Sequence, residues 1–249
     1  MHRAILALTL GLLCASAHAA EVKVLTAGAM KAVVLELVPQ FEKETGHKVI
    51  VDNDTAGGIT RRILGGEVAD VVVSTPNSLN ELMAKGKVMT RVLLARVGVG
   101  VVVKEGAPTP DISSVEAFKR TLLAAKSVAY IDPASGGSSG IYLAGLFEKL
   151  GIAAEIKSKA KLKQGGHVAD LIANGEAELG LHQISEILPV KGVKFVGPLP
   201  SEIQNYTTYA VGPAPDSKQF DAALKLIELL GGPAADSVLK ARGMERPQG

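Results

Sequence analysis

Apolar residues fall along this chain in short runs that alternate with longer segments spaced three and four apart, and small residues mark most of the changes between them. Residues 22–26 form a β-branched and apolar run that Ala27-Gly28-Ala29 breaks. Residues 30–43 then carry Val33, Val34, Leu37 and Phe41 at helical spacing, closed by Gly46. Strand, small-residue turn and amphipathic helix make the first half of a βαβ unit. Further strands are expected at 49–52 and 70–74, the latter continuously apolar through Val71, Val72 and Val73, as in a parallel strand buried on both faces. Between them, Asp54-Thr55-Ala56-Gly57-Gly58 makes a second turn before a short helix at 59–64. Ser74-Thr75-Pro76-Asn77 opens a helix at 79–85, with Asn77 or Ser78 as its cap.

The alternation continues to the C-terminus. A glycine-punctuated apolar run at 97–103 and a turn at 105–110 lead to Ser113-x-x-Glu116, a capping box for a helix reaching about residue 126. A strand at 127–131 runs into Asp132-Pro-Ala-Ser-Gly-Gly-Ser-Ser-Gly-Ile-Tyr142 and a helix at 141–150. A helix at 168–174, strands at 178–181 and 193–196, and an extended Tyr/Thr-rich stretch at 205–211 follow. Helices at 218–230 and 233–241 close the chain on either side of Gly231-Gly232. The expected fold class is α/β.

Three strand-to-helix junctions, 26–29, 54–58 and 135–140, carry small or hydroxyl residues. In open α/β sheets ligands bind off the carboxyl ends of strands, where the free amides at helix N-termini favour anions. The junction at 135–140 adds the hydroxyls of Ser135, Ser138 and Ser139. The plainer reading of each junction is a capped helix with a flexible entry; three in one chain point to a shared anion site. Arg61 and Arg62 follow the second junction within one helical turn, about 100° apart, so at most one faces a ligand. Lys31 stands in a similar place in the first helix.

Other chemistries fit less well. Gly136-Gly-Ser-Ser-Gly140 has the form of a nucleophile elbow, and Ser138, Asp170 and His182 could be drawn as a triad, but they are cramped for a hydrolase sheet. No Gly-Lys-Ser/Thr follows the loop and no G-x-G-x-x-G opens the first helix, so phosphate-loop and dinucleotide sites are excluded. His47, His167 and His182 are single, with no second histidine four positions on, so no metal is expected. No cofactor is expected either. His182 stays a candidate because Leu181-His182-Gln183 ends a strand beside the site.

Composition places this site outside the cytoplasm. His2-Arg3, the apolar stretch 4–14 and Ala17-His18-Ala19 have the form of a secretory signal peptide cleaved after residue 19. Large residues before Cys14 argue against a lipid anchor, and removal of the segment takes the one cysteine with it, excluding disulfides and thiol chemistry. The formal net charge of +2 with interspersed signs gives no footprint for nucleic acid or a membrane surface, and with no tryptophan a stacking platform is not expected. A soluble monomer in the periplasm is the expectation.

Thr26-Ala-Gly-Ala-Met, Val38-Pro-Gln-Phe-Glu-Lys-Glu-Thr-Gly46, Ala69-Asp-Val-Val-Val-Ser74, Asp132-Pro with Gly140-Ile-Tyr142, and Gly175-Glu-Ala-Glu-Leu-Gly180 together resemble the periplasmic molybdate-binding proteins of ABC importers. The resemblance implies a two-lobed type II periplasmic binding protein, with the chain crossing near 96–100 and 206–209. Lobe I is then 20–98 with 209–249, and lobe II is 99–208. It also implies a small-anion ligand, an ABC permease as partner, and an oxyanion held by serine hydroxyls in the first two junctions, backbone amides and a late tyrosine. Here Gly28-Ala29, Thr55-Ala56 and Gln183 hold those positions. Each buried hydrogen bond left unmade costs about 1–3 kcal/mol, so a small organic di- or tricarboxylate is expected over molybdate. The candidate ligand-binding set is Gly28, Ala29, Met30, Thr55, Ala56 and Thr75 from one lobe, and Gly137, Ser138, Ser139, His182 and Gln183 from the other. One branch of the family resembles periplasmic aconitate isomerases, which interconvert cis- and trans-aconitate; there His182 or His167 would serve as base.

Overall fold

The structure, a computed structural model, describes residues 21–247; the expected signal segment lies outside them. The first half of the chain gives β1 (Glu21–Ala27), α1 (Gly28–Thr45), β2 (Lys48–Asp54), α2 (Ala56–Leu64), β3 (Val71–Ser74), α3 (Pro76–Ala84) and β4 (Val92–Lys104). There follow α4 (Val115–Ala124), β5 (Val128–Ile131), α5 (Ser138–Lys149), α6 (Ala153–Ser158), β6 (Ala160–Lys163), α7 (Ala169–Ala173), β7 (Leu179–Gln183), α8 (Ile184–Ile187) and β8 (Val193–Pro198). The return consists of β9 (Tyr206–Pro213), α9 (Phe220–Gly231), α10 (Asp236–Ala241) and β10 (Met244–Glu245).

These strands make one curled mixed sheet in the order β2-β1-β3-β9-β4-β7-β5-β6, with β8 and β10 also pairing with β4. β1 runs parallel to β2 and β3, and β5 parallel to β6 and β7, each set linked through helices. β4 joins them: it pairs with β9 from Val92 to Gly98 and with β7 from Val99 to Val103. The apolar core divides at the same place. One cluster holds Val24, Val34, Phe41, Val72, Leu82, Leu94 and Leu226; a second holds Val101, Phe118, Tyr130, Leu143 and Phe147; a third, around Val102, Ile131 and Ile172, backs the second. Burying each Leu or Phe contributes about 1.5–3 kcal/mol. At the crossing, the Gln204 side chain accepts from the Val99 amide and donates to the Val99 carbonyl, both at 2.9 Å.

Several local expectations need correcting. β4 starts earlier than the apolar run at 97–103, because Val92 to Arg96 already pair with β9. β6 is a Lys-rich, half-exposed strand at the end of the sheet, where charge discourages further pairing, and it carries little apolar signal. The α4 cap is Ser114, which accepts from the Ala117 amide at 3.2 Å, while the Ser113 hydroxyl donates to Asp111 at 2.6 Å; the cap is displaced by one residue, and Ala117 at the third helical position has no side-chain acceptor to complete a box. The α3 cap is Thr75, not Asn77 or Ser78: its hydroxyl accepts from the Ser78 amide, and Pro76 takes the first helical position, where no amide is needed.

Loss of such a cap costs about 1 kcal/mol. Thr75→Ala should lower unfolding free energy by that amount in urea titrations while leaving ligand affinity unchanged.

Candidate functional site

The carboxyl ends of β1, β2, β5 and β7 meet where the two halves face each other, and a small cavity lies between them. Its wall is formed by Ala27, Gly28 and Ala29; Asn53 to Ala56; Ile131 with Gly137, Ser138 and Ser139; Gly165 and Gly166; and His182, Gln183, Glu186 and Tyr209. Its volume is about 30 Å³, room for about two water molecules at most and well below the range for small-molecule sites. Of the candidate set, two residues lie elsewhere. Met30 is 1% exposed in the core of the first half, on the inner face of α1, and Thr75 serves as the α3 cap.

Helix ends supply the cavity's positive potential. Neither α1, preceded by Ala27, nor α5, preceded by Gly137, has a side chain capping its N-terminus. Their first amides therefore face the cavity from opposite halves without a local acceptor, the arrangement that favours an anion. α2 differs, since the Thr55 hydroxyl accepts from the Gly58 amide at 3.0 Å and donates to the Ser135 carbonyl at 2.6 Å. Thr55 thus clasps the halves together instead of offering a free hydroxyl. Arg61 Nη2 donates to the same carbonyl at 3.0 Å, and the Gly57 amide to the Gly136 carbonyl at 3.1 Å. The approach demands glycine: a Cβ on Gly57 would lie 2.8 Å from the Gly136 Cα, and Gly136 has φ +83°. Arg62 turns away to Asp52 and Glu67, so neither arginine lines the cavity.

The cavity's deepest groups are a histidine and two residues that sequence reasoning missed. His182, at the end of β7, and Glu186, in α8, have side chains 2% and 9% exposed, with Nε2 and Oε2 3.3 Å apart. Burial pushes His182 down to about 3 and Glu186 up to about 8, so both are neutral near pH 7. His182 Nδ1 has no hydrogen-bond partner among the described residues. Glu186 Oε1 fills the space beside Gly28, where a Cβ would lie 2.5 Å from it. Tyr209, from β9, is held above the ordinary phenol range by burial and is hydrogen-bonded to Ser138. The phenol expected at the position of Gln183 therefore arrives from the return strand instead. The spacing of His182 and Glu186 was a usable signal, but the change from strand to helix between them hides it.

The hydrolase arrangement is not formed. A turn at Pro133–Ser135 separates Ser138 from β5, Asp170 binds Lys163 at 2.7 Å, and His182 faces Glu186. His167 does not line the cavity; its carbonyl accepts from Lys163 at 2.7 Å. Among the described residues no cluster of His, Cys, Asp and Glu could hold a metal ion.

Residues 22–245 match the family described as bacterial extracellular solute-binding proteins. The chain is 35% identical over 230 residues to an aconitate isomerase from Pseudomonas sp., spanning 89% of this chain and 86% of that one. It is 29% identical over 251 residues to the molybdate-binding protein ModA of Azotobacter vinelandii, spanning 98% and 97%. The solved periplasmic molybdate-binding protein of Azotobacter vinelandii superposes with a TM-score of 0.78 at 20% identity, over 91% of this chain and all of that one. The sulfate-binding protein SubI of Mycobacterium tuberculosis gives 0.74 at 16% identity, over 91% and 87%. The fold is that of the type II periplasmic binding proteins.

The buried pair makes stability depend on pH in two directions. Glu186, raised from its ordinary 4.5, contributes stability at low pH that is lost as pH rises through about 8. His182, lowered from 6.5, contributes stability at higher pH that is lost as pH falls through about 3. The two slopes cancel between 4.5 and 6.5. Thermal unfolding followed across pH should show the pair's stability greatest there, and Glu186→Gln should remove the alkaline fall while keeping the acid one.

Proposed function

The chain belongs to the bacterial extracellular solute-binding protein family, and we propose that it captures a small organic di- or tricarboxylate, in preference to molybdate, between its two lobes. The observation that carries this reading is the convergence of the uncapped N-termini of α1 and α5 on one cavity whose wall includes the carboxyl of Glu186. The amides attract negative charge. Ionised, the carboxyl repels a fully deprotonated tetrahedral dianion; neutral, it offers such a ligand a single O–H donor. An organic acid can set a carboxylate at the amides and carbon or a shared proton beside Glu186. Lobe I comprises 20–98 and 209–249 and lobe II 99–208. Export to the periplasm and delivery to an ABC importer complete the reading, in keeping with the family; no described helix is long and apolar enough to cross a membrane.

Thermal shifts with molybdate, tungstate, citrate, cis-aconitate, trans-aconitate and tricarballylate test it. Tricarboxylates should raise the midpoint and molybdate should not; stabilisation by molybdate alone would overturn the preference.

A second reading adds catalysis. His182 Nδ1, buried, unpartnered and neutral beside a carboxyl, has the features of a general base, and the aconitate isomerase from Pseudomonas sp. is 35% identical. On this reading the site interconverts cis- and trans-aconitate. Ultraviolet absorbance of either isomer incubated with the protein should drift to a common value, and an unchanged isomer ratio removes the reading.

A further inference from the structure

We propose that Glu186 works as an uncharged carboxylic acid, its Oε2 accepting from His182 Nε2–H and its Oε1–H donating to the substrate carboxylate on which charge builds during proton removal. The inference rests on the isomerase reading and assigns roles within it.

Three observations support the assignment. The carboxyl lies against a cavity wall built from amides and hydroxyls, with Oε1 in the space that Gly28 leaves open. Oε2 stands 3.3 Å from Nε2 of His182, close enough for a hydrogen bond after a small rotation of either side chain, and Nδ1 has no partner among the described residues. Among the described residues no lysine or arginine pairs with the Glu186 carboxyl. Of the titratable groups that face the pair, Tyr209 of β9 is a neutral phenol, and His167 and Lys163, from beyond β7, act on His182 and disfavour its protonated form. α1 presents glycine to the carboxyl. Burial thus keeps Glu186 protonated at neutral pH, and a buried neutral acid aimed at developing charge is a strong donor.

The chemistry balances without oxidant or reductant. Nδ1 takes a proton from the methylene carbon beside a carboxylate: the C–H bond breaks, an N–H bond forms, and the electron pair enters the adjoining alkene, shifting the double bond by one carbon. Nδ1–H then returns a proton to the far carbon of the three-carbon unit. Glu186 Oε1–H stays on its oxygen throughout and stabilises the delocalised anion between the two transfers. The substrate class is an unsaturated tricarboxylic acid with a methylene next to the double bond.

Glutamine imitates a permanently neutral carboxyl, with one acceptor oxygen and one donor nitrogen, and this makes the role testable. Aconitate interconversion by the full exported chain is measured from pH 5 to 10. Wild-type kcat should fall with an alkaline limb near pH 8. Glu186→Gln should lose about tenfold at neutral pH and lack that limb, whereas Glu186→Ala should lose about a hundredfold to a thousandfold, as for removal of one such donor. Circular dichroism and the unfolding midpoint show whether each variant folds, and should alanine fail to fold, the glutamine pH profile decides alone. A glutamine variant that keeps the alkaline limb, or that loses activity a thousandfold while folded, overturns the role of Glu186 and leaves the isomerase reading standing. A wild-type protein that is stabilised by tricarboxylates yet never changes the isomer ratio overturns both the role and the isomerase reading, while capture survives. One that neither binds nor converts them sinks all three.

Discussion

One strand serves both halves of the sheet, and the rest of the molecule follows from that. β4 gives its first seven residues to β9 and its next five to β7, so the parallel sets on either side are fixed with their carboxyl ends facing one seam. Parallel strands joined by helices place their helix N-termini at those ends. When two such sets share a strand, the amides of both point into the same gap. The cavity between Gly28, Ser138 and His182 results from this topology, and its positive potential costs no charged side chain. Arg61 and Arg62 are accordingly free for other work, one clasping the Ser135 carbonyl across the seam and the other holding Asp52 and Glu67.

Against that background the unusual investment is Glu186. A carboxyl group removed from water and given no cation is driven to its neutral form, and this one is seated in a site whose other polar groups favour anions. Burial holds both members of the His182–Glu186 pair neutral near pH 7, so on the isomerase reading the imidazole can take a proton while the carboxyl keeps its own. The clasp of Thr55, Gly57 and Arg61 onto Ser135 and Gly136 holds the two halves together beside the same space.

Much of this was legible in the residues. The runs at 22–26, 70–74 and 127–131 and the helical spacing that follows them gave the α/β layout, because buried parallel strands and amphipathic helices leave strong periodic signals. The small-residue junctions located the cavity, since only such residues let backbone amides reach a ligand. What escaped has a common cause. Met30 and Thr75 belong to junction motifs, yet one points into the core and the other turns back on its own helix; which way a junction residue faces is settled by packing. Glu186 and Tyr209 come from segments with no small-residue signature, and each reaches the cavity through tertiary placement: the register of β9 beside β4 for Tyr209, and the turn from β7 into α8 for Glu186. β6 was missed because an edge strand of lysines lacks an apolar pattern.

The cavity's parts differ in where they come from along the chain. The amides at the cavity are dispersed over 27–29 and 137–139, on opposite lobes, whereas the buried histidine and carboxyl occupy a single five-residue stretch, His182 to Glu186. The ability to hold an anion is therefore a property of the whole fold, conserved as long as the two lobes can close. On the isomerase reading, proton chemistry would reside at one strand end, beside the glycine at 28 that makes room for Glu186. Changes at that strand end would then alter what happens to a bound anion without touching the amides of 27–29 and 137–139.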